Sequence, residues 1–169
     1  GSAAGEQFGA SVAGGGDIDA DNQLDVVAGS PGAAKGTGSV TVVYGPYGSR
    51  TRTVAGKAAK SLFGSALALG DTNGDGHADI MVGAPKDDDI ANRRVDAGSV
   101  TVLSGNGFAV LQTIYGAAAK ANAGTGVAAG DADADGLADV AVGAPNDGGT
   151  GSVRLYSLAG AGSTLDRKS

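Results

Sequence analysis

Cysteine and tryptophan are absent, and 169 residues hold one methionine and one histidine. Without cysteine, disulfides, thiolate metal sites and thiol nucleophiles are excluded. His77 is the lone histidine, at a loop position where its backbone carbonyl is what matters, and no G-x-S-x-G nucleophile elbow occurs, so nothing in the chain compels a hydrolase triad. Proline is scarce, and the 32 glycines follow no three-residue period, which excludes collagen. No apolar run approaches the roughly 18 residues of a membrane-crossing helix, and the first residues show no basic-then-apolar secretion pattern. A net charge of −6 argues against a polyanionic partner such as nucleic acid, whose capture needs clustered Lys and Arg.

What the chain does contain is one unit written three times. FGASVAGGGDIDADNQLDVVAGSPG at residues 8–32 aligns with FGSALALGDTNGDGHADIMVGAP at 63–85 and AGTGVAAGDADADGLADVAVGAP at 123–145. The leading aspartates, Asp17, Asp71 and Asp131, are 54 and 60 residues apart. A second shared piece follows each: Gly38-Ser39-Val40-Thr41-Val42, Gly98-Ser99-Val100-Thr101-Val102, and Gly151-Ser152-Val153-Arg154-Leu155. Two registered motifs repeated three times make the whole chain, 1–169, a single repeat array, with units of about 3–55, 56–115 and 116–169.

Each unit reads as short strands. Residues 66–69, 79–83, 100–103 and 110–115 are apolar or β-branched runs, punctuated by Gly, Asp, Asn and Pro. Residues 80–82, and their copies 26–28 and 140–142, are apolar without alternation, which predicts strands covered on both faces. The small Ala13, Ala68 and Ala128 suit a crowded innermost strand. About four strands per unit, stacked face to face, predict an all-β fold of four-stranded antiparallel β-propeller blades. A parallel β-helix has much shorter repeats.

The loop between the first two strands of each unit places oxygen side chains at its positions 1, 3, 5 and 9. These are Asp17, Asp19, Asp21 and Asp25; Asp71, Asn73, Asp75 and Asp79; and Asp131, Asp133, Asp135 and Asp139. Alternate positions of a tightly wound loop converge, and converging carboxylates repel unless a cation joins them. Hard oxygen donors without His or Cys select Ca²⁺ over softer ions, with Mg²⁺ second. Position 7 adds a backbone carbonyl, from Gln23, His77 or Leu137. Position 6 needs a tight turn, supplied by Gly76 and Gly136, with Asn22 as the tolerated substitute. Position 12 is Ala28, Val82 or Val142, where an EF-hand would carry Glu. Eleven of the 18 acidic residues lie in these loops. Three bound Ca²⁺ would bring the net charge to about zero.

Phe8-Gly9 and Phe63-Gly64 opening two units, with Gly83-Ala84-Pro85 and Gly143-Ala144-Pro145 closing the second strands, resemble the FG-GAP repeat, which builds the seven-bladed propeller of integrin α-subunits and occurs in bacterial secreted proteins. Ala123-Gly124 and Gly29-Ser30-Pro31 depart from that pattern. The resemblance implies one blade per repeat, with Ca²⁺ in the hairpin between strands one and two. It also implies a partner-binding face opposite those hairpins, where the long 86–97 loop carries Asp87, Asp88, Asp89, Arg93, Arg94 and Asp96.

Three blades form an open arc, whereas propellers hold about 4–8. Each end blade would expose an apolar face, and two such different faces invite head-to-tail closure. The expectation is a homodimer giving six blades, with nine blades from three chains as the larger ring. Together these readings predict a non-catalytic, secreted, calcium-binding module with structural or protein-interaction roles. It would hold three Ca²⁺, one per repeat, and bind a protein or glycan ligand without inserting into membranes. The alternative is the scaffold part of a secreted hydrolase, a setting in which FG-GAP repeats also occur.

Overall fold

A computed structural model describes residues 1, 3–46 and 48–158. The first sheet runs β1 (Ser11–Gly16), β2 (Asp25–Ser30), β3 (Ser39–Val43) and β4 (Thr51–Ala55). The second runs β5 (Ala66–Gly70), β6 (Asp79–Ala84), β7 (Ser99–Leu103) and β8 (Val110–Tyr115). The third holds β9 (Gly126–Gly130), β10 (Asp139–Ala144) and β11 (Ser152–Tyr156). Every pairing within a sheet is antiparallel, and strands neighbour one another in chain order. The third sheet therefore shows three strands where four were expected. A fourth strand would fall on residues 159–169, outside the described part.

The sheets stack as blades. Innermost strand β1 lies against β5, and β5 against β9. Alternation along the strands divides the middle blade's side chains between two cores. Ile80, Val82 and Leu103 pack with Val27, Val40 and Val42 of the first blade. Met81, Val100 and Val102 pack with Val140 and Val142 of the third. Burying each such side chain contributes roughly 1.5–3 kcal/mol, so two cores, not one, hold the chain together.

β6 is buried along its whole length. Its counterparts are not: Val26 in β2 is 46% exposed, and Ala141 in β10 is half-buried. The expectation of strands covered on both faces thus holds for the middle blade alone. Among the described residues the end blades have one neighbouring blade each, so one side of each of these sheets has no blade to pack on.

Close backbone approach joins blade to blade. A Cβ on Gly29 would sit 2.1 Å from the Gly64 carbonyl oxygen, and a Cβ on Gly83 would sit 2.1 Å from that of Gly124. Only glycine fits there. The departure at Ala123 leaves this joint intact: Ala123 forms a parallel bridge to Gly98, as Phe63 does to Gly38.

Candidate metal centre

The three acidic loops are the β1–β2, β5–β6 and β9–β10 hairpins. Their backbone winds through two left-handed residues each. Position 6 has φ of 65° at Asn22, 82° at Gly76 and 89° at Gly136, as the sequence predicted. Position 4 is left-handed as well, at Ala20 (58°), Gly74 (76°) and Ala134 (64°). Alanine is an unexpected residue for that conformation, so the sequence alone did not point to it.

The position-1 carboxylate organises each loop by accepting backbone N–H groups. Asp17 accepts from Asp21 at 3.1 Å and Asn22 at 2.8 Å. Asp71 accepts from Gly74 at 2.7 Å and Gly76 at 2.9 Å. Asp131 accepts from Asp135 at 3.1 Å and Gly136 at 3.0 Å. Position 5 accepts from the N–H of position 7: Gln23 to Asp21 at 2.8 Å, His77 to Asp75 at 3.0 Å, and Leu137 to Asp135 at 2.8 Å. These bonds curl each loop back around its position-1 carboxylate.

In the first hairpin, oxygens of Asp17, Asp19 and Asp21 lie within 4.8 Å of one another. In the third, Asp131, Asp133 and Asp139 do so. The second hairpin replaces its position-3 carboxylate by Asn73, whose amide nitrogen donates to Asp75 at 3.3 Å.

Position 9 behaves differently from the rest. Asp25 and Asp79 are buried, and both oxygens of each are occupied by backbone donors. Asp25 takes the N–H of Ile18 and of Gly45, both at 2.8 Å. Asp79 takes the N–H of Thr72 at 2.9 Å and of Gly105 at 3.1 Å. They pin the hairpin to the turn after the third strand. Leu158 stands at the equivalent position in the last repeat. There, Asp139 takes the N–H of Ala132 at 2.8 Å and is the position-9 residue that joins its cluster. The repeated Gly45 and Gly105 were a sequence signal for this pinning.

The donor set fits a hard divalent cation. Every clustered ligand is a carboxylate oxygen, and Asp19 Oδ1 is buried with no hydrogen-bond partner among the described residues. A buried carboxylate oxygen without a donor costs free energy that a cation would recover. The other oxygen of Asp19 pairs with the guanidinium of Arg50. Arg50 was not anticipated, since its place beside the hairpin is set by the turn between β3 and β4. The His77 ring lies 2.9 Å from the Ile18 carbonyl oxygen, bridging two blades. That contact gives the side chain a structural task and leaves its backbone to the loop.

The 86–97 loop is tied down. Asp89 and Arg94 exchange backbone hydrogen bonds at 2.9 Å and also form a partly buried ion pair. Arg94 Nη1 reaches the Ala117 carbonyl at 2.7 Å. Hydrogen bonds from Asn92 and Arg94 hold the Asp89 carboxyl below its usual range. Burial pushes Asp87 up, against the donated bond from Ser99. Residues 87–91 and 56–59 border a cleft of about 700 Å³ between the outer strands β4 and β8.

Stacked four-stranded blades with acidic hairpins between their first two strands define a protein of the β-propeller repeat class. The FG-GAP repeat pattern matches residues 63–103 and 123–156, and an FG-GAP-like repeat pattern matches residues 16–82. The chain belongs to the FG-GAP repeat family. It is 32% identical to chicken (Gallus gallus) integrin alpha-V over 138 residues, covering 79% of this chain and 13% of that protein. It is likewise 32% identical to Drosophila melanogaster integrin alpha-PS2 over 154 residues, covering 86% of this chain and 11% of that protein. The chain thus spans a small fraction of these relatives.

Proposed function

We propose that the chain is a non-catalytic, calcium-binding propeller module that mediates protein interaction outside the cell. The observation that carries this reading is the convergence of carboxylate oxygens in the first and third hairpins, with Asp19 Oδ1 buried and without a hydrogen-bond partner among the described residues. The ions would be held by Asp17, Asp19 and Asp21; by Asp71, Asn73 and Asp75; and by Asp131, Asp133, Asp135 and Asp139. Carbonyls of Gln23, His77 and Leu137 complete the shells, and Asp25 and Asp79 brace the first two from behind. The cation supplies charge neutralisation and crosslinks the loop. Affinities of roughly 10⁻⁴–10⁻³ M, as in extracellular modules, would keep the sites filled only where calcium is abundant. Kinship with integrin α-subunits supports the extracellular setting and the interaction role. The 86–97 loop and its cleft form the surface offered to a protein or glycan ligand.

Isothermal titration with Ca²⁺ tests this reading. Three sites of about 10⁻³ M should each add about 1.4 kcal/mol at tenfold excess, raising the melting midpoint by roughly 10 °C in total. A melt indifferent to calcium and chelator, with no heat of binding, would overturn it.

A further inference from the structure

The contact between successive blades is made twice within the chain, from the same parts each time. The N–H of Ala78 donates to the Asp17 carbonyl at 2.8 Å, and that of Ala138 to the Asp71 carbonyl at 2.7 Å. Gly29 and Gly83 receive the carbonyls of Gly64 and Gly124 against their bare Cα atoms. A Cβ on Gly16 would lie 2.6 Å from the Ala78 Cβ, and one on Gly70 would lie 2.6 Å from the Ala138 Cβ. Each blade thus offers glycine sockets on its following face, and the next blade fills them.

The third blade carries the same sockets, and among the described residues nothing fills them. Gly130 and Gly143 stand at the repeat positions of Gly70 and Gly83. A Cβ on Gly130 meets nothing within 4 Å, and one on Gly143 comes no nearer than 3.4 Å, to Gly126 of its own sheet. Neither residue has a positive φ. Packing among the described residues does not call for glycine at either position. On the same face Val153 is 64% exposed, although its counterparts Val40 and Val100 are fully buried.

The first blade shows the matching half. Phe8, Val12 and Leu24 stand where Phe63, Leu67 and Ala78 pack between blades, yet they are 47%, 67% and 67% exposed. Gly9 holds φ of 83°, like Gly64 and Gly124, the residues that supply the inserting carbonyls. Leu24 is the one departure, being larger than the alanine of the internal contacts.

We propose that the open face of the third blade receives the open face of the first blade of a second copy of this chain, head to tail, so that two copies close a six-bladed ring. The occupant is a second copy because the two faces are the two halves of a contact the chain already makes twice. A face-to-same-face pairing would oppose sockets to sockets. The sockets Gly130 and Gly143 and the inserting Val12 are not among the proposed calcium ligands, so association measured in chelator separates this proposal from the calcium reading.

Sedimentation velocity on the full chain, from low to high micromolar concentration and with either Ca²⁺ or chelator, tests it. The expected species has twice the 16.0 kDa chain mass. Gly143→Ala should return the protein to a single chain whose melting midpoint matches that of the wild type at concentrations where the wild type is dissociated, and Val12→Lys should do so from the other face. Gly130→Ala serves as a second tail variant should Gly143→Ala melt early. Mixing Gly143→Ala with Val12→Lys leaves one intact head and one intact tail, and should restore a two-chain species. Wild-type protein at single-chain mass throughout overturns the proposal. So does an oligomer that survives both variants, or a mixture that stays dissociated while the wild type associates. A three-chain species dissolved by both variants keeps the contact and overturns the six-bladed closure.

Discussion

Arg50 lies against Asp19: its guanidinium pairs with Asp19 Oδ2 and stacks 3.9 Å over the Tyr44 ring. The first hairpin therefore holds a cation of the chain's own beside the oxygens proposed to bind calcium. Exposed ion pairs are worth about 0.2–1 kcal/mol. Arg50→Gln is expected to tighten calcium binding at the first site by up to about fivefold, leaving the other two unchanged. Titration calorimetry with the second and third hairpins disabled, by Asp71→Ala and Asp131→Ala, reads the first site alone.

Gly83 sits beneath the Gly124 carbonyl, where a Cβ would come within 2.1 Å of the oxygen. Backbone on both sides leaves little to yield, so Gly83→Ala is expected to cost about 1–3 kcal/mol as overpacking does. Gly29→Ala should cost a similar amount at the first joint. Urea unfolding midpoints check both, and a neutral result at either would mean that the blades slide apart more easily than their cores suggest.

Ala20 and Ala134 occupy left-handed positions that Gly74 fills in the second hairpin. An L-residue pays roughly 1–2 kcal/mol there, and glycine loses about 0.5–1 kcal/mol through the unfolded chain. Ala20→Gly and Ala134→Gly should therefore each stabilise by a net of roughly 0.5–1 kcal/mol. Thermal melts in chelator, with the metal contribution removed, measure the change.

Two aspartates of one loop should respond to acid in opposite senses. Hydrogen bonds from Asn92 and Arg94 lower the Asp89 carboxyl, so its contribution is present at neutral pH and is lost as pH falls through its folded pKa. Asp89→Asn should then lower stability at pH 7, with the difference closing in acid. Burial raises Asp87, so its charge is disfavoured in the folded chain, and stability is gained as pH falls and the group protonates. Asp87→Asn should raise the melting midpoint at pH 7, with that gain shrinking in acid. Melting curves of the two variants across the carboxylate range give both signs.

Much of the architecture was legible in the residues. The strands around Ile80, Val100 and Ile114, the hairpin bounds and the turn at Gly76 and Gly136 follow from runs of apolar residues and from glycine placement. Such signals are local, spanning a few residues, and three copies reinforce them. The split of roles among the carboxylates was not legible. Asp25, Asp79 and Asp139 are the same letter at the same loop position, yet the first two spend both oxygens on the hairpin and the next turn.

By itself the sequence determined the repeat, the β class and the acidic hairpins, because period-two burial and turn chemistry are written in neighbouring residues. Tertiary structure decided which carboxylates cluster, that Arg50 meets Asp19, that His77 bridges blades, and that the end blades leave Val12, Leu24 and Val153 bare. Those outcomes depend on distant segments brought side by side when the sheets stack, and on each end blade having, among the described residues, a neighbouring blade on one side only.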